Sequence, residues 1–474
     1  MTAEKLSAEK SAGRAYDARF LSRVAHGLLA GLGVLALIRF MLLLSHKYWQ
    51  PGFCDFDQIY MAGLAWRRGV VPYGVVEPAF HMPNGPDSHI LQAYYYTPLG
   101  SMLAAPLSLL SFPRAIFLWK IGAFALLLYG VWRFSRLTLP DWPLSLHLFG
   151  LGVTALASSV RWNLLLLQPT ALIVGGLLLF ACAVIEERWT SALLLAVLIS
   201  IKPSFFLPVV GLLAFRGRYR LLGLALGAIL LLNLVALAPT GPRRTLAAYA
   251  EAIRSLDRPG TENDPRALES LGPYLNMRPD SPLAHHPQWS HKRGFWAEQQ
   301  LSGVFLLSAW LPTLWQARAL HGLLTLLALG LLARLWWRAQ VAQRYADPAF
   351  LAALFALLTG LALLSVYHRR YDALGLIPAV YVVLAMLHKN PRDLAAWAAL
   401  GAGGLGAYVL AAGMVNLWLS RLVVPYGLLF LTPVFGYLTL AVCVALFVAL
   451  WRESRSPVQA RTSTSAAGLA GAAL

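Results

Sequence analysis

The chain has 474 residues, 58% of them hydrophobic and 13% charged, with a mean hydropathy of +0.61. Soluble proteins carry about a quarter charged residues. Repeated apolar runs of roughly 20 residues mark instead an all-α polytopic membrane protein, helical because lipid offers no partner to an open sheet edge. The formal net charge of +18 falls largely in short loops between apolar runs, the pattern of cytosolic anchoring rather than of nucleic-acid binding. The three cysteines, Cys54, Cys182 and Cys443, form no CxxC pair and no disulfide framework.

In chain order, residues 1–24 read as a polar cytosolic tail with Lys5, Lys10, Arg14, Arg19 and Arg23, too long for a typical cleaved signal peptide. A transmembrane domain is expected over 25–451. Its first span, 26–45, leads out of the cytosol, so residues 46–97 form the first outer loop. Spans follow at 98–112, 115–135 and 141–158. Residues 160–215 read either as two full spans, 163–185 and 190–213, or as short segments broken at Gln168-Pro169 and Lys202-Pro203. Both versions return the chain to the cytosol at Arg216, Arg218 and Arg220. A span at 221–239 leads to a long polar outer loop, 240–300, and then to an apolar, interfacial 301–313. Further spans are expected at 315–337, 349–367, 373–388, 394–418 and 424–451, with Arg334, Arg338 and Arg344 cytosolic and an outward turn at Tyr367–Asp372. The Ser-, Thr- and Ala-rich 452–474 reads as a disordered cytosolic tail. The expected total is about 12 spans with both termini inside and no strong internal repeat.

The polar residues that stand out lie on the outer side. Phe56, Ile59, Tyr60, Gly63 and Leu64 recur at 3/4 spacing and predict an amphipathic helix lying in the interface. Asp55 precedes it as an N-cap, with Gln58 placed as the reciprocal partner of a capping box. An ionisable group at a membrane boundary is also a candidate for chemistry. The two roles are compatible, because a cap needs one carboxylate oxygen. Asp57 reads as a solvated-face residue and the reserve candidate. Arg67-Arg68, Lys202 and His368-Arg369-Arg370 fall on the same side. They suit a phosphate and equally suit snorkelling anchors. Lys202 differs: an uncompensated charge inside a span costs on the order of 3 kcal/mol, so it needs a partner. Tyr94-Tyr95-Tyr96 fit an aromatic belt. The histidines, His285-His286 and His291 included, show no metal-ligand spacing, and no metal or cofactor is expected.

Asp55-Phe56, then Tyr60-Met61-Ala62-Gly63, then Gly69-Val70-Val71-Pro72-Tyr73 resemble the first outer loop of glycosyltransferase family 87, the polyprenol-phosphate-mannose-dependent mannosyltransferases of the GT-C class. Further similarities run in order: Tyr96-Thr97-Pro98-Leu99 to a Tyr-x-Pro-Leu step, Gln168-Pro169-Thr170 to a Gly-Gln step, Ile201-Lys202-Pro203 to Ile-Lys-Pro, Gln300-Leu301-Ser302-Gly303 to Asn-Gln-Ser-x-x-Gly, and Tyr371-Asp372 with Ile377-Pro378 to a late Tyr-Asp…Leu-Pro helix start. The likeness covers roughly residues 25–390. Two departures stand out: Leu167 occupies the place of the glycine before Gln168, and the asparagine before Gln300 is absent.

The resemblance implies a GT-C-type bundle and the broken-helix version of 160–215. It also implies metal-independent, inverting transfer of a sugar, mannose by family, from a polyprenyl-phosphate donor to a hydroxyl of a lipid-linked or polymeric acceptor. Asp55 takes the place of the essential acidic residue in the first outer loop. Lys202, His368, Arg369 and Arg370 are then the expected partners of the donor phosphate. Tyr60, Arg67, Tyr96, Gln168, Gln300, Tyr371 and Asp372 are the expected substrate contacts. The setting implied is a bacterial inner membrane, with the site facing the periplasm or exterior. The rival readings are a polyprenyl-phosphate-sugar flippase or transporter using the same groups, and a non-catalytic membrane scaffold of the same fold.

Overall fold

The computed structural model describes residues 3–45, 56–73, 96–256, 307, 314–365, 370–405 and 434–455. Among these, all regular structure is helical. The helices are α1 (Ala3–Ser45), α2 (Phe56–Arg67), α3 (Pro98–Ala104), α4 (Phe112–Thr138), α5 (Leu144–Ala155), α6 (Ser158–Leu166), α7 (Thr170–Ile185), α8 (Trp189–Ile199), α9 (Leu207–Phe215), α10 (Tyr219–Leu237), α11 (Pro242–Leu256), α12 (Leu314–Val341), α13 (Pro348–Ser365), α14 (Ile377–Lys389), α15 (Leu394–Gly404) and α16 (Val434–Glu453).

Seven helices among the described residues are long and apolar enough to cross a membrane: they lie within α1, α4, α10 with the turn after it, α12, α13, α14 with the turn before it, and α16. Helices α5 and α6, bent by 49° against each other, would make an eighth. The described residues do not reach the expected count of about 12, and 406–433, part of the last two expected spans, lie outside them. Proline accounts for much of the difference. Because it is pre-organised for a first helical turn and lacks the N–H an interior position needs, it restarts the helix at Pro98, Pro208 and Pro378 and precedes it at Pro169. The expected span 98–112 is therefore a seven-residue helix followed, after Pro106, by the 3-10 turn Leu107–Leu109. Residues 160–215 take the broken form, α6 to α9, with interruptions at Gln168-Pro169 and Lys202-Pro203. Two expected loops are also helical: the polar N-terminus continues into α1 from Ala3, and 242–256, the start of the long outer loop, is α11.

The core is built on close backbone approach. A Cβ on Gly175 of α7 would meet Leu127 N of α4 at 2.6 Å, and one on Gly130 would meet Gly175 O at 2.7 Å. Gly33 of α1 and Gly152 of α5 make the same kind of contact, at 2.5 and 2.6 Å. Small residues serve this purpose in membranes, where packing rather than hydrophobicity drives association. Helix α13 sits centrally, most of it buried, with Phe355 against Phe134 of α4 at 5.8 Å.

The bundle has two unlike ends. One carries ion pairs: Arg133–Glu186 (2.7 Å), Arg188–Glu186 (2.6 Å), Arg216–Glu187 and Arg344–Asp347 (2.8 Å). The other gathers α2, α3, α11 and the three interruptions at 167–170, 200–206 and 370–376. Alternating helix directions produce this segregation, since every second connection returns to the same end.

Gly175→Ala should lower the thermal unfolding midpoint in nanodiscs by the equivalent of about 1–3 kcal/mol, the usual cost of overpacking. Gly122→Ala in α4, where nothing lies within 4 Å, should leave it unchanged or raise it. Equal behaviour of the two variants would count against the close α4–α7 contact.

Candidate functional site

Three chain interruptions meet on one cluster of polar side chains. Lys202 Nζ lies 2.5 Å from Asp372 Oδ1 and donates to Thr170 Oγ1 at 2.9 Å; Thr170 Oγ1 donates to the same Asp372 oxygen at 2.5 Å. Thr170 opens α7, Lys202 separates α8 from α9, and Asp372 lies in the 3-10 turn Arg370–Leu376. The ammonium also stands over the Phe205 ring, 5.1 Å from its centroid. The side chain of Asp372 is 3% exposed and that of Lys202 14%. A charge this buried is tolerable only when paired and hydrogen-bonded. The partner that Lys202 requires on physical grounds is thus supplied from 170 residues away. The start of α3 joins the same interruption: Thr97 N donates to Ile201 O at 3.2 Å, and Thr97 Oγ1 to Ser200 O at 3.4 Å.

Between α6 and α7, Leu167 adopts φ 53° and ψ 40°, the left-handed conformation that normally calls for glycine. A leucine there costs roughly 1–2 kcal/mol. Burial of the side chain, worth about 1.5–3 kcal/mol, is of the right size to offset it. Leu167 is 1% exposed and belongs to a cluster with Phe56, Ile59, Tyr60, Phe112 and Ile116. Its carbonyl accepts from Trp119 Nε1 at 3.1 Å, and the Trp119 ring lies 5.4 Å from that of Phe56. The next residue, Gln168, is buried, its backbone N–H donating to Asn163 O at 3.1 Å, while its side-chain oxygen has no hydrogen-bond partner among the described residues.

Helix α2 is seated against this region by the residues of its motif. Tyr60 OH donates to Leu110 O at 2.9 Å, and burial pushes its phenol pKa up, opposed by the Arg67 charge, so the hydroxyl stays a donor. Gly63 lets α2 touch the end of α3: a Cβ there would meet Ala104 C and O at 2.6 Å. Arg67 Nη1 donates to Ser108 O at 2.8 Å, and Trp66 Nε1 to Ala236 O of α10 at 2.7 Å. Gly69, at φ +68°, turns the chain toward Tyr73, whose hydroxyl donates to Tyr96 O at 2.8 Å. Tyr73 also packs on Tyr249 of α11, with ring centroids 5.1 Å apart. The expected interfacial helix is therefore present as a helix, but with most of its residues buried under neighbouring elements.

Of the expected site residues, Lys202 and Asp372 are in direct contact, Gln168 is two residues from their partner Thr170, and Tyr96 lies next to Thr97. Tyr60 and Arg67 have their polar ends engaged by Leu110 and Ser108. Asp57 is in the first turn of α2 and buried. Asp55, Gln300, His368 and Arg369 lie outside the described residues, as do the side chains of Arg370 and Tyr371 and the histidines at 285, 286 and 291. Among the described residues no three His, Cys, Asp or Glu side chains converge as a metal site would require. Sequence reasoning missed Thr170 as the third member of the cluster. It also missed Asn233 of α10, whose Oδ1 accepts from Leu99 N at 3.0 Å and satisfies one of the orphan donors at the start of α3. A lone asparagine in an apolar run is the signal that would have found it.

Seven apolar helices among the described residues, with a buried Lys202–Asp372 pair at one end of the bundle, define an integral membrane protein. The family model described as glycosyltransferase family 87 matches residues 94–366, more than half of the chain. The chain belongs to that family and is a glycosyltransferase. The match spans Tyr96, Gln168 and Lys202; it begins after α2 and ends before Asp372. No curated protein and no solved structure matches the chain at a significant level.

Lys202→Met should cost about 3–5 kcal/mol of stability by leaving Asp372 buried without its counter-charge. The double variant Lys202→Met/Asp372→Leu should recover most of that loss in the same unfolding assay. A double variant no more stable than the single one would show that the two charges do not act as a pair.

Proposed function

We propose that the protein transfers a sugar, mannose by family, from a polyprenyl-phosphate donor to a hydroxyl of a lipid-linked or polymeric acceptor. In this reading the junction faces away from the cytosol and the ion-paired, arginine-rich end faces inward. The observation that carries the proposal is the meeting of motifs far apart in sequence, at 56–73, 96–99, 167–170, 200–205 and 370–376, at one end of the bundle. A scaffold would not need a buried ionic cluster, which is costly in a membrane.

Asp55 acts as general base. It precedes Phe56, which is fully buried against Phe112 and Trp119. The acceptor O–H gives its proton to Asp55 while its oxygen forms the new bond to the anomeric carbon. The bond from that carbon to the phosphate oxygen breaks on the opposite face, with inversion, and polyprenyl phosphate leaves with the electron pair. Phosphate is a good leaving group, so cations suffice to stabilise its growing charge. His368, Arg369 and Arg370 are nearest in sequence to the Asp372 turn and serve this role. Lys202, already compensated by Asp372, contributes mainly by fixing that turn. Gln168, with an unpartnered buried carbonyl oxygen, is suited to accept from a sugar hydroxyl, with Tyr96, Gln300 and Tyr371 as further contacts. Tyr60 and Arg67 support α2.

The test is incubation of purified wild-type and Asp55→Asn protein in nanodiscs with radiolabelled polyprenyl-phosphate-mannose and a membrane lipid extract. The expected result is a labelled product from wild type alone, with Asp55→Asn folded and at background. Full turnover in Asp55→Asn removes that residue as base and turns attention to Asp57→Asn. Movement of intact donor across the bilayer with no glycosidic product favours the flippase reading.

A further inference from the structure

We propose that the ends of α12 and α16 form a binding site for an anionic phospholipid, whose headgroup phosphate seats between Arg334 and Arg338 beside Trp451. The two arginines are one helical turn apart on α12, and both guanidinium groups stand over one indole. Arg338 Cζ lies 4.2 Å from the Trp451 ring centroid and Arg334 Cζ 5.4 Å. Like charges four residues apart on a helix repel each other. Arg133, Arg188, Arg216 and Arg344, at the same end of the bundle, each meet a glutamate or aspartate. Among the described residues, Arg334 and Arg338 have no carboxylate within ion-pair distance. Glu453, two residues beyond the ring, acts instead on Lys389, Arg344 and Asp347. The segments flanking α16, 406–433 and 456–474, contain no Asp or Glu. The pair of cations therefore calls for an anion from outside the chain, and guanidinium takes phosphate oxygens in bidentate pairs.

The helix faces that carry these groups are apolar along their length. On α12 the series continues back from Arg338 and Arg334 through Leu331, Leu327 and Leu323, all exposed. On α16 it runs from Trp451 through Phe447, which stacks on it at 5.7 Å, to the exposed Val444 and Leu440. Steps of three and four residues keep each series on one face. Both helices are long and apolar enough to cross a membrane, and only 6% of the α12 span is buried. Trp337, 65% exposed, stands at the level of the two cations, as indoles do at the headgroup boundary. Acyl chains along these faces with a phosphodiester at their end have the form of a phospholipid. A free phosphate would use the cations and leave the apolar faces uncovered.

The experiment is native mass spectrometry of the full chain in detergent, titrated with phosphatidylglycerol or with phosphatidylcholine of the same acyl chains, reading the dissociation constant of the first bound lipid. Wild type should hold phosphatidylglycerol about tenfold or more tightly than phosphatidylcholine, and Arg334→Gln/Arg338→Gln should lose about tenfold in phosphatidylglycerol affinity alone. Arg220→Gln/Arg392→Gln, which removes two exposed charges from the same end, should stay within about twofold of wild type. Equal affinity of wild type for the two lipids overturns the proposal, and that comparison needs no variant. So does an equal loss in the two double variants, which would mean diffuse attraction to a basic surface. Displacement of the bound phosphatidylglycerol by inorganic phosphate overturns the lipid as occupant in favour of the free anion.

Discussion

The contact between Lys202 and Asp372 governs the site end of this protein. A positive and a negative charge, both largely out of water, attract more strongly than at a surface, and each is intolerable without the other. Because their backbones belong to different interruptions, the attraction holds two chain segments that helix geometry alone would leave free. Thr170 adds a third segment with one hydroxyl that both donates and accepts. The irregular backbone around them is the kind a membrane protein can keep only where protein, not lipid, surrounds it.

Much of the helical framework was legible in the sequence, because apolar length is a direct report of what lipid tolerates. The segments α1, α4, α10, α12, α13 and α14 lie close to where hydropathy puts them. Among the described residues the count of spans falls short where apolar composition and helix length part company. Residues 170–215 are apolar nearly throughout, yet α7, α8 and α9 have 16, 11 and 9 residues. Composition marks such a stretch as buried in something apolar; it does not distinguish lipid from neighbouring helices. Prolines and Lys202 are what mark the breaks, and the two-version reading of this region reflects that they compete with the apolar signal. The helix at the start of the long polar loop is hidden for the opposite reason: α11 is polar on average, and what makes it a helix is the stripe of Thr245, Tyr249 and Ala252 turned toward its neighbours.

At the site, the sequence exposed needs more readily than their satisfaction. The charge of Lys202 announces that a partner exists; only the fold identifies it as Asp372. The glycines of the α2 motif can be recognised as a pattern, while their reason is local and three-dimensional: Gly63 admits the backbone of Ala104, and Gly69 takes a positive φ beside Pro239. Leu167 is the clearest case of a residue whose identity conflicts with its conformation. Its oddity is visible in the sequence only by comparison with a glycine, and the compensating burial only in the structure.

Helix α10 has a further consequence. It is mostly exposed within the bundle, so its apolar face meets the surrounding lipid. Near its end, Asn233 holds the amide of Leu99, Ala236 holds the indole of Trp66, and Pro239 lies against Gly69. A helix in such a position answers to the thickness of the hydrocarbon layer by tilting. Other residues of the same helix carry α2 and α3, so the bilayer becomes a mechanical component of the junction: a change of tilt in this one span reaches both helices.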